Sequence, residues 1–406
     1  MKALYVDFDM RRVVALTLAK TISRRLAFAP FAPLRFGEVP EPKIPGPRWI
    51  KVRNTMCGLC ASDISFVFMN IDVGSFPAAA PGVPRKYLGH ELVGEVVEAG
   101  PEVDTVAAGD RVAMRIDWPS CFQQDLARPC RQCAAGNYML CANVGLRPAP
   151  VVDTGCGFSP HMVMHRSQPF RIPPGLTDDE AVLLEPTAVA VHAVMRRAPR
   201  PGDKVLVIGS GTIGLLTLAV AKALEPDCRV SVVARHPFQA EQAERMGADA
   251  LLSEREGLYR QAAEETAARF IEGAFGNRIL LGGFDVVYDS VGNDRTLRDA
   301  LRLARAGGTV VLVGVNFQPG KLDYSPVWHQ EVNLVGANSH AMESTGENSF
   351  EIAARLLSKK AVRVEGMVTH RFPLEAYRQA IEAFCAKGKS RAIKIVIDHG
   401  AERGRR

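Results

Sequence analysis

The sequence predicts an α/β protein of two domains, a β-rich first part followed by a doubly wound parallel sheet. Three observations predict it. A glycine turn at Gly209, Gly211 and Gly214 joins an apolar run to a helix start, short apolar runs alternate with helical stretches from about Pro186 to Asn338, and 406 residues are enough for two separate cores.

The glycine turn carries the most chemistry. Lys204-Val-Leu-Val-Ile-Gly209-Ser-Gly211-Thr212-Ile213-Gly214 reads as a buried strand, a tight turn and a helix start. The first glycine lets the chain reverse, the second lets backbone approach a pyrophosphate, and the third lets helix pack on strand. Freed N–H groups and the positive end of the helix dipole then suit a dinucleotide's phosphates. The next strand, Arg229-Val-Ser-Val-Val-Ala234, ends without the Asp or Glu that binds the ribose 2′-hydroxyl of NAD, and Arg235 follows. Without that carboxylate a 2′-phosphate is not repelled, and a guanidinium can pair with it bidentately. NADP is therefore favoured over NAD; the alternative is that Arg235 is a solvated loop residue. Val315, just past the strand-like Val310–Val313, completes the cofactor-side candidates. Val205–Ile208, Val230–Val233, Val286–Asp289 and Asn333–Val335 read as the other strands of this sheet.

Many turns and short strands fill the first 170 or so residues, and Val368–Phe372 with Ala392–Ile397 read as strands that return to that domain. The expected division is 1–185 with 340–406 for the β-rich domain and 186–339 for the parallel sheet.

Composition, 47% hydrophobic and 23% charged, is that of a soluble globular protein. The net charge of +6 is modest, part of it in the tail Arg403-Gly-Arg-Arg406, and no basic stripe interleaves with aromatics, so no nucleic-acid partner is expected. The segment from Arg11 to Arg25 is too short and too charged to span a bilayer and reads as an inserted hairpin or helix, with membrane-surface contact a minority reading. No membrane partner is expected.

Nine cysteines, six of them between Cys57 and Cys141, suggest metal before disulfides and a cytoplasmic location. Cys130, Cys133 and Cys141 are spaced C-x2-C-x7-C, which can wrap one tetrahedral zinc if a fourth ligand closes it. Cys121 is the first candidate for that ligand and Asp125 the weaker one, since thiolates dominate closed structural sites. A second set, Cys60 after a strand-like run from Trp49 and His90-Glu91 before another, has the donor types of a catalytic zinc.

Taken together, these residues resemble the zinc-dependent medium-chain dehydrogenase/reductase superfamily, which includes alcohol, sorbitol and threonine dehydrogenases. The matching pieces are Gly58-Leu-Cys60-Ala-Ser62-Asp63, Gly89-His90-Glu91, Gly109-Asp110-Arg111-Val112, the cysteine lobe, Leu184-Glu185-Pro186, the glycine turn, Asp285-Val-Val-Tyr-Asp289 and Val368-Thr-His-Arg-Phe. They cover nearly the whole chain in the family's order, and Glu185-Pro186 looks closer to the polyol branch. The resemblance implies a GroES-like catalytic domain and a Rossmann domain, with the active site in the cleft between them. It also implies one catalytic and one structural zinc, NAD(P), and a homodimer or homotetramer acting on an alcohol, aldehyde or ketone. Cys60 and His90 then match the fixed catalytic ligands, Glu91 and Glu185 share a carboxylate role, Asp63 orients the histidine, and Ser62 relays the substrate proton. Zinc in such a site acts as a Lewis acid while a hydride passes to the nicotinamide.

Three departures bear on this, one being the stretch from Arg11 to Leu34, which is longer than the family usually needs and has no assigned role. Ser65 stands where the family often has a relay histidine, and Ala127 stands where its first structural cysteine falls. For the substrate, Phe66, Phe68, Phe76, Trp118 and Phe158 give a modest preference for an apolar or aromatic alcohol over a polyol. A lyase or hydratase, or a non-catalytic cofactor-binding protein on the same scaffold, are the alternatives.

Overall fold

The computed structural model describes residues 1–79, 83–115, 119–147, 153–254, 257–318 and 320–400. Trp118 and the basic tail at 403–406 lie outside them. The chain forms two compact units, Met1–Glu185 with Val368–Arg406, and Pro186–Met367.

The first unit opens with β1 (Lys2–Asp7), β2 (Leu34–Glu38), β3 (Trp49–Gly58), β4 (Arg85–Tyr87), β5 (Glu91–Ala99), β6 (Arg111–Met114), β7 (His161–His165) and β8 (Pro169–Arg171). Burial alternates along much of β3, as one buried and one open face require. A three-stranded antiparallel sheet runs β2-β1-β4. Leu4, Ile50, Val52, Leu92, Val96 and Met164 are among the side chains that fill the core of this unit.

The second unit carries β9 (Lys204–Ile208), β10 (Arg229–Ala234), β11 (Ala250–Ser253), β12 (Arg269–Glu272), β13 (Arg278–Leu281), β14 (Phe284–Asp289), β15 (Ala304–Leu312) and β16 (Asn333–Gly336). Six of them form one parallel sheet in the order β11-β10-β9-β14-β15-β16. The order reverses at β9, beside β14, and ligands collect outside the strand ends at such a switch point. The sequence reading found five of these strands and missed β11, a short edge strand. It also missed the antiparallel hairpin β12-β13.

β17 (Val368–Phe372) and β18 (Lys394–Asp398) complete the first unit, whose seven-stranded sheet runs β17-β18-β3-β5-β6-β8 with β7 also on β3. The return was expected at residue 340, but residues 340–367 stay in the second unit. Buried polar bonds hold them there. Glu343 accepts from Ser349 and faces His192 Nδ1 at 3.0 Å, and Ser349 N–H donates to the Ala341 carbonyl at 3.0 Å. The helix Ser349–Ser358 buries Phe350, Ile352, Ala353, Leu356 and Leu357 in the same unit.

Gly209 has φ +95°, a conformation that side chains with a Cβ rarely adopt. At Gly214, on the first turn of the helix Thr212–Leu224, a Cβ would overlap the Gly209 carbonyl oxygen. Gly214→Ala is therefore expected to push the helix off the turn, cost about 1–3 kcal/mol of stability and weaken dinucleotide binding. Thermal unfolding with and without nucleotide checks this, and an unchanged melting temperature would remove the packing argument.

Candidate metal centres and nucleotide turn

Strand pairing assembles the first centre. β3 and β5 run antiparallel with Gly58 opposite Glu91, so the end of one strand meets the start of the other. Cys60 lies two residues past Gly58 and caps the helix Ala61–Val67; His90 immediately precedes Glu91. The ligand atoms of Cys60, His90 and Glu91 all lie within 4.8 Å of one another. Glu185, also expected here, is buried but does not join that group.

Asp63 acts differently from the expectation. Its Oδ1 stands 3.8 Å from His90 Nδ1, beyond hydrogen-bond reach. Instead Asp63 accepts from the Cys60 N–H at 3.0 Å and the Gly89 N–H at 3.1 Å. A buried carboxylate thus ties the two ligand-bearing turns to each other through their backbones. Ser62 lies on the first turn of the helix that Cys60 caps. Ser65 donates to the Ala61 carbonyl at 3.2 Å, a helix-internal bond.

The sequence reading missed Lys394. This lysine on β18 makes an ion pair with Glu91 in which both side chains are almost wholly buried, 3% and 2% exposed. The signal was available, because Ala392-Ile-Lys394-Ile-Val-Ile397 puts one cation in an otherwise apolar strand run. Gly58 makes the contact possible, since a Cβ there would overlap the Glu91 carboxylate. Burial alone would lower the Lys394 ammonium, but Glu91, Cys60 and Glu185 hold it above its ordinary range. Burial pushes the Cys60 thiol up to about 12, with Glu91 and Asp63 adding to it. Burial likewise pushes the Glu185 carboxyl up to about 8, opposed by His90 and Lys394 and reinforced by Glu91 and Cys60. One thiol and two carboxylates thus face the buried Lys394 ammonium, and the Lys387 ammonium faces Cys60 and Glu91 as well, a donor set in which a bound divalent cation would favour the deprotonated thiol and carboxyl.

The second centre is the cysteine lobe. The sulfurs of Cys121, Cys130, Cys133 and Cys141 lie within 4.8 Å of one another, so Cys121 does loop back in place of a cysteine at Ala127. Asp125 is not among them; its carboxylate pairs with Arg48 at 2.8 Å. N–H groups point at the sulfurs: Cys130 N and Asn143 Nδ2 at Cys121, Cys133 N and Ala142 N at Cys130, and Asn143 N at Cys141, at 3.3–3.5 Å. Such donors stabilise thiolates. At Cys130 they outweigh burial and hold the thiol below its ordinary range.

In the second unit the cofactor-side candidates share one sheet edge. Gly209 follows β9, Ala234 ends β10, and Val315 lies beyond β15, all at the carboxyl ends of parallel strands. Gly211, Thr212, Ile213 and Gly214 start the helix after β9, and a Cβ at Gly211 would meet nothing within 4 Å, leaving its backbone open to a ligand. Arg235 is exposed. The aromatics expected to line a substrate pocket do not gather. Phe68 and Phe158 are buried in the core, Phe76 is exposed, and Phe66 is half-buried beneath the Lys86 ammonium.

Residues 46–174 match the alcohol dehydrogenase GroES-like domain family and residues 212–361 the zinc-binding dehydrogenase family. The chain belongs to the zinc-dependent medium-chain dehydrogenase/reductase superfamily, a class of oxidoreductases. It is 30% identical to sorbitol dehydrogenase of Ovis aries across 93% of this chain and 98% of that enzyme. It is 29% identical to D-arabinitol dehydrogenase 1 of Uromyces fabae across 86% of this chain and 89% of that enzyme. A solved structure from Sinorhizobium meliloti, described as a zinc-binding dehydrogenase bound to NADP, superposes with a TM-score of 0.69 at 29% identity, covering 90% of this chain and 95% of that one.

Lys394→Met is expected to destabilise the metal-free protein by about 3–5 kcal/mol, because it leaves Glu91 buried without a counter-charge. Adding Glu91→Gln should recover most of that loss, and urea unfolding of the single and double variants measures both. For the lobe, Cys121→Ser is expected to lower bound zinc by one equivalent per chain while Asp125→Ala leaves it unchanged. Metal analysis reads the difference, and the reverse pattern would exchange their roles.

Proposed function

We propose that this protein is a zinc-dependent, NADP-linked dehydrogenase of polyols or related secondary alcohols. The convergence of Cys60, His90 and Glu91 carries the reading, because one thiolate, one imidazole and one carboxylate are the donors of an open zinc site. Zinc bound in that site would polarise the substrate oxygen, and NADP would take the hydride. Cys60, His90 and Glu91 hold the metal, Glu185 is the further carboxylate beside it, and Asp63 fixes the two turns. Ser62 takes the substrate's hydroxyl proton. Beyond it the proton leaves through water, since Ser65 is bonded inside its own helix. The four thiolates of the lobe hold a second zinc.

The glycine turn binds the pyrophosphate, and Arg235 at the end of β10, with Ala234 in place of an acid, binds the 2′-phosphate. The NADP-bound relative supports the same choice. Polyol relatives, the Glu185-Pro186 pair and the core positions of Phe68 and Phe158 together move the substrate preference from aromatic alcohols to polyols. A homodimer or homotetramer belongs to the same reading, with exposed Leu334 on edge strand β16 and exposed Trp328 before it as the surface.

A panel of polyols and of primary and aromatic alcohols, each assayed with NAD and NADP, tests the proposal. The expected result is highest kcat/KM on a polyol with NADP, about tenfold or more of it lost in Arg235→Ala, and no turnover in Cys60→Ser with nucleotide binding kept. Equal or better turnover with NAD would reject the role of Arg235, and turnover persisting in Cys60→Ser would reject the zinc site.

A further inference from the structure

The insertion between β1 and β2 takes no part in either metal centre. It holds the helix Met10–Ala19, capped by Asp9, and a 3-10 turn at Arg24–Phe28. One side of the helix is anchored. Leu16 is fully buried and Val13 packs against the core. Lys20 Nζ donates to the carbonyls of Phe68 at 3.4 Å and Met69 at 2.9 Å, and Arg12 donates to the Pro30 carbonyl at 3.0 Å. These bonds fix the rotation of the helix, so its other face cannot turn inward.

That other face is apolar. Met10, Val14 and Leu18 on the helix and Ile22 in the turn after it are 68%, 53%, 69% and 84% exposed. A spacing of four residues lays them along one line. Thr17 and Thr21 lie beside them, but their hydroxyls donate to the carbonyls of Val13 and Leu18 at 2.8 and 2.7 Å, so neither proton is left for solvent. Between the capping Asp9 and Glu38 the segment carries one sign of charge. From Met10 to Gly37 there are six basic residues, Arg11, Arg12, Lys20, Arg24, Arg25 and Arg35, and no acidic one. Among the described residues, the partners of Arg12, Lys20 and Arg35 are backbone carbonyls, and no carboxylate pairs with any of the six.

We propose that this helix docks the protein on an anionic lipid surface, lying in the plane of the interface. Met10, Val14, Leu18 and Ile22 enter the acyl boundary, and the flanking arginines meet the phosphate headgroups. Ten residues of helix reach about 15 Å, half of a hydrocarbon core, so the contact is peripheral. No described helix is long and apolar enough to cross a membrane. A second copy of the chain is a poor occupant, because a two-fold contact would bring the exposed Arg11, Arg24 and Arg25 of both copies together. An anionic bilayer matches both the apolar line and the charge around it.

Co-sedimentation of the full chain with phosphatidylglycerol vesicles and with phosphatidylcholine vesicles tests this. Binding is expected to the first, about tenfold or more weaker to the second, and to fall as salt rises. The double variant Val14→Glu, Leu18→Glu changes only exposed side chains. It should lose vesicle binding by about tenfold or more while its melting temperature and its dehydrogenase turnover in buffer stay at the wild-type level. Equal binding to both lipids, binding to neither, or undiminished binding by the double variant would overturn the proposal. So would an oligomer that dissociates in that variant while vesicle binding is absent, since a second copy would then own the face.

Discussion

The ion pair between Glu91 and Lys394 sits where three strands meet. β3 lies between β5 and β18, and its last residue, Gly58, faces Glu91 on one side and Val396 on the other. Only a residue without a side chain at that point lets the carboxylate and the ammonium reach each other across the strand. The same register sets Cys60 and His90 side by side, and Asp63 then fastens their backbones. Burying a charge without compensation costs several kcal/mol, so the sheet order, the glycine and the placement of the final strand are a single solution to one electrostatic problem.

The two metal centres meet the demand for anionic ligands by different means. In the cysteine lobe, backbone and amide N–H groups aim at Cys121, Cys130 and Cys141 and hold the Cys130 thiol below its ordinary range, while burial raises Cys133 and Cys141. In the first centre the anions are distant in sequence and are balanced by a lysine from the far end of the chain. A closed, locally organised lobe suits a structural ion, whereas a site with its own counter-charge can exchange one ligand for another without leaving a bare carboxylate. Glu185, its carboxyl raised to about 8 chiefly by burial and further by Glu91, is an additional buried carboxyl facing that pair.

What could be read from the residues follows their distance along the chain. The glycine turn and the cysteine lobe are local patterns, the longer of them contained between Cys121 and Cys141, and the structure forms the turn at the helix start and brings the four sulfurs together. The lysine partner of Glu91 was not read, because nothing near residue 394 indicates which strand β18 will join. The return to the first unit was set too early for a related reason. The bonds that hold residues 341–349 in the second unit run to Glu343, and one of them comes from His192 on a helix far upstream. Membrane-surface contact of the first helix was only a minority reading because Leu16 and Val13 give the same segment a core-facing side, and exposure is decided by rotation, which composition does not encode.

The split of the first unit across the chain also sets an order of events during synthesis. Glu91 and Lys394 are separated by 303 positions, and the second unit is one continuous stretch between the strands they occupy. At about 5–20 residues per second, Glu91 leaves the ribosome about 15–60 seconds before its counter-charge exists. Once residue 367 has been made, the parallel sheet has every residue it needs, while the β-rich sheet still lacks two strands and the ammonium that permits its carboxylate to be buried. The second unit is thus free to fold first, and the cluster around Glu91 closes last.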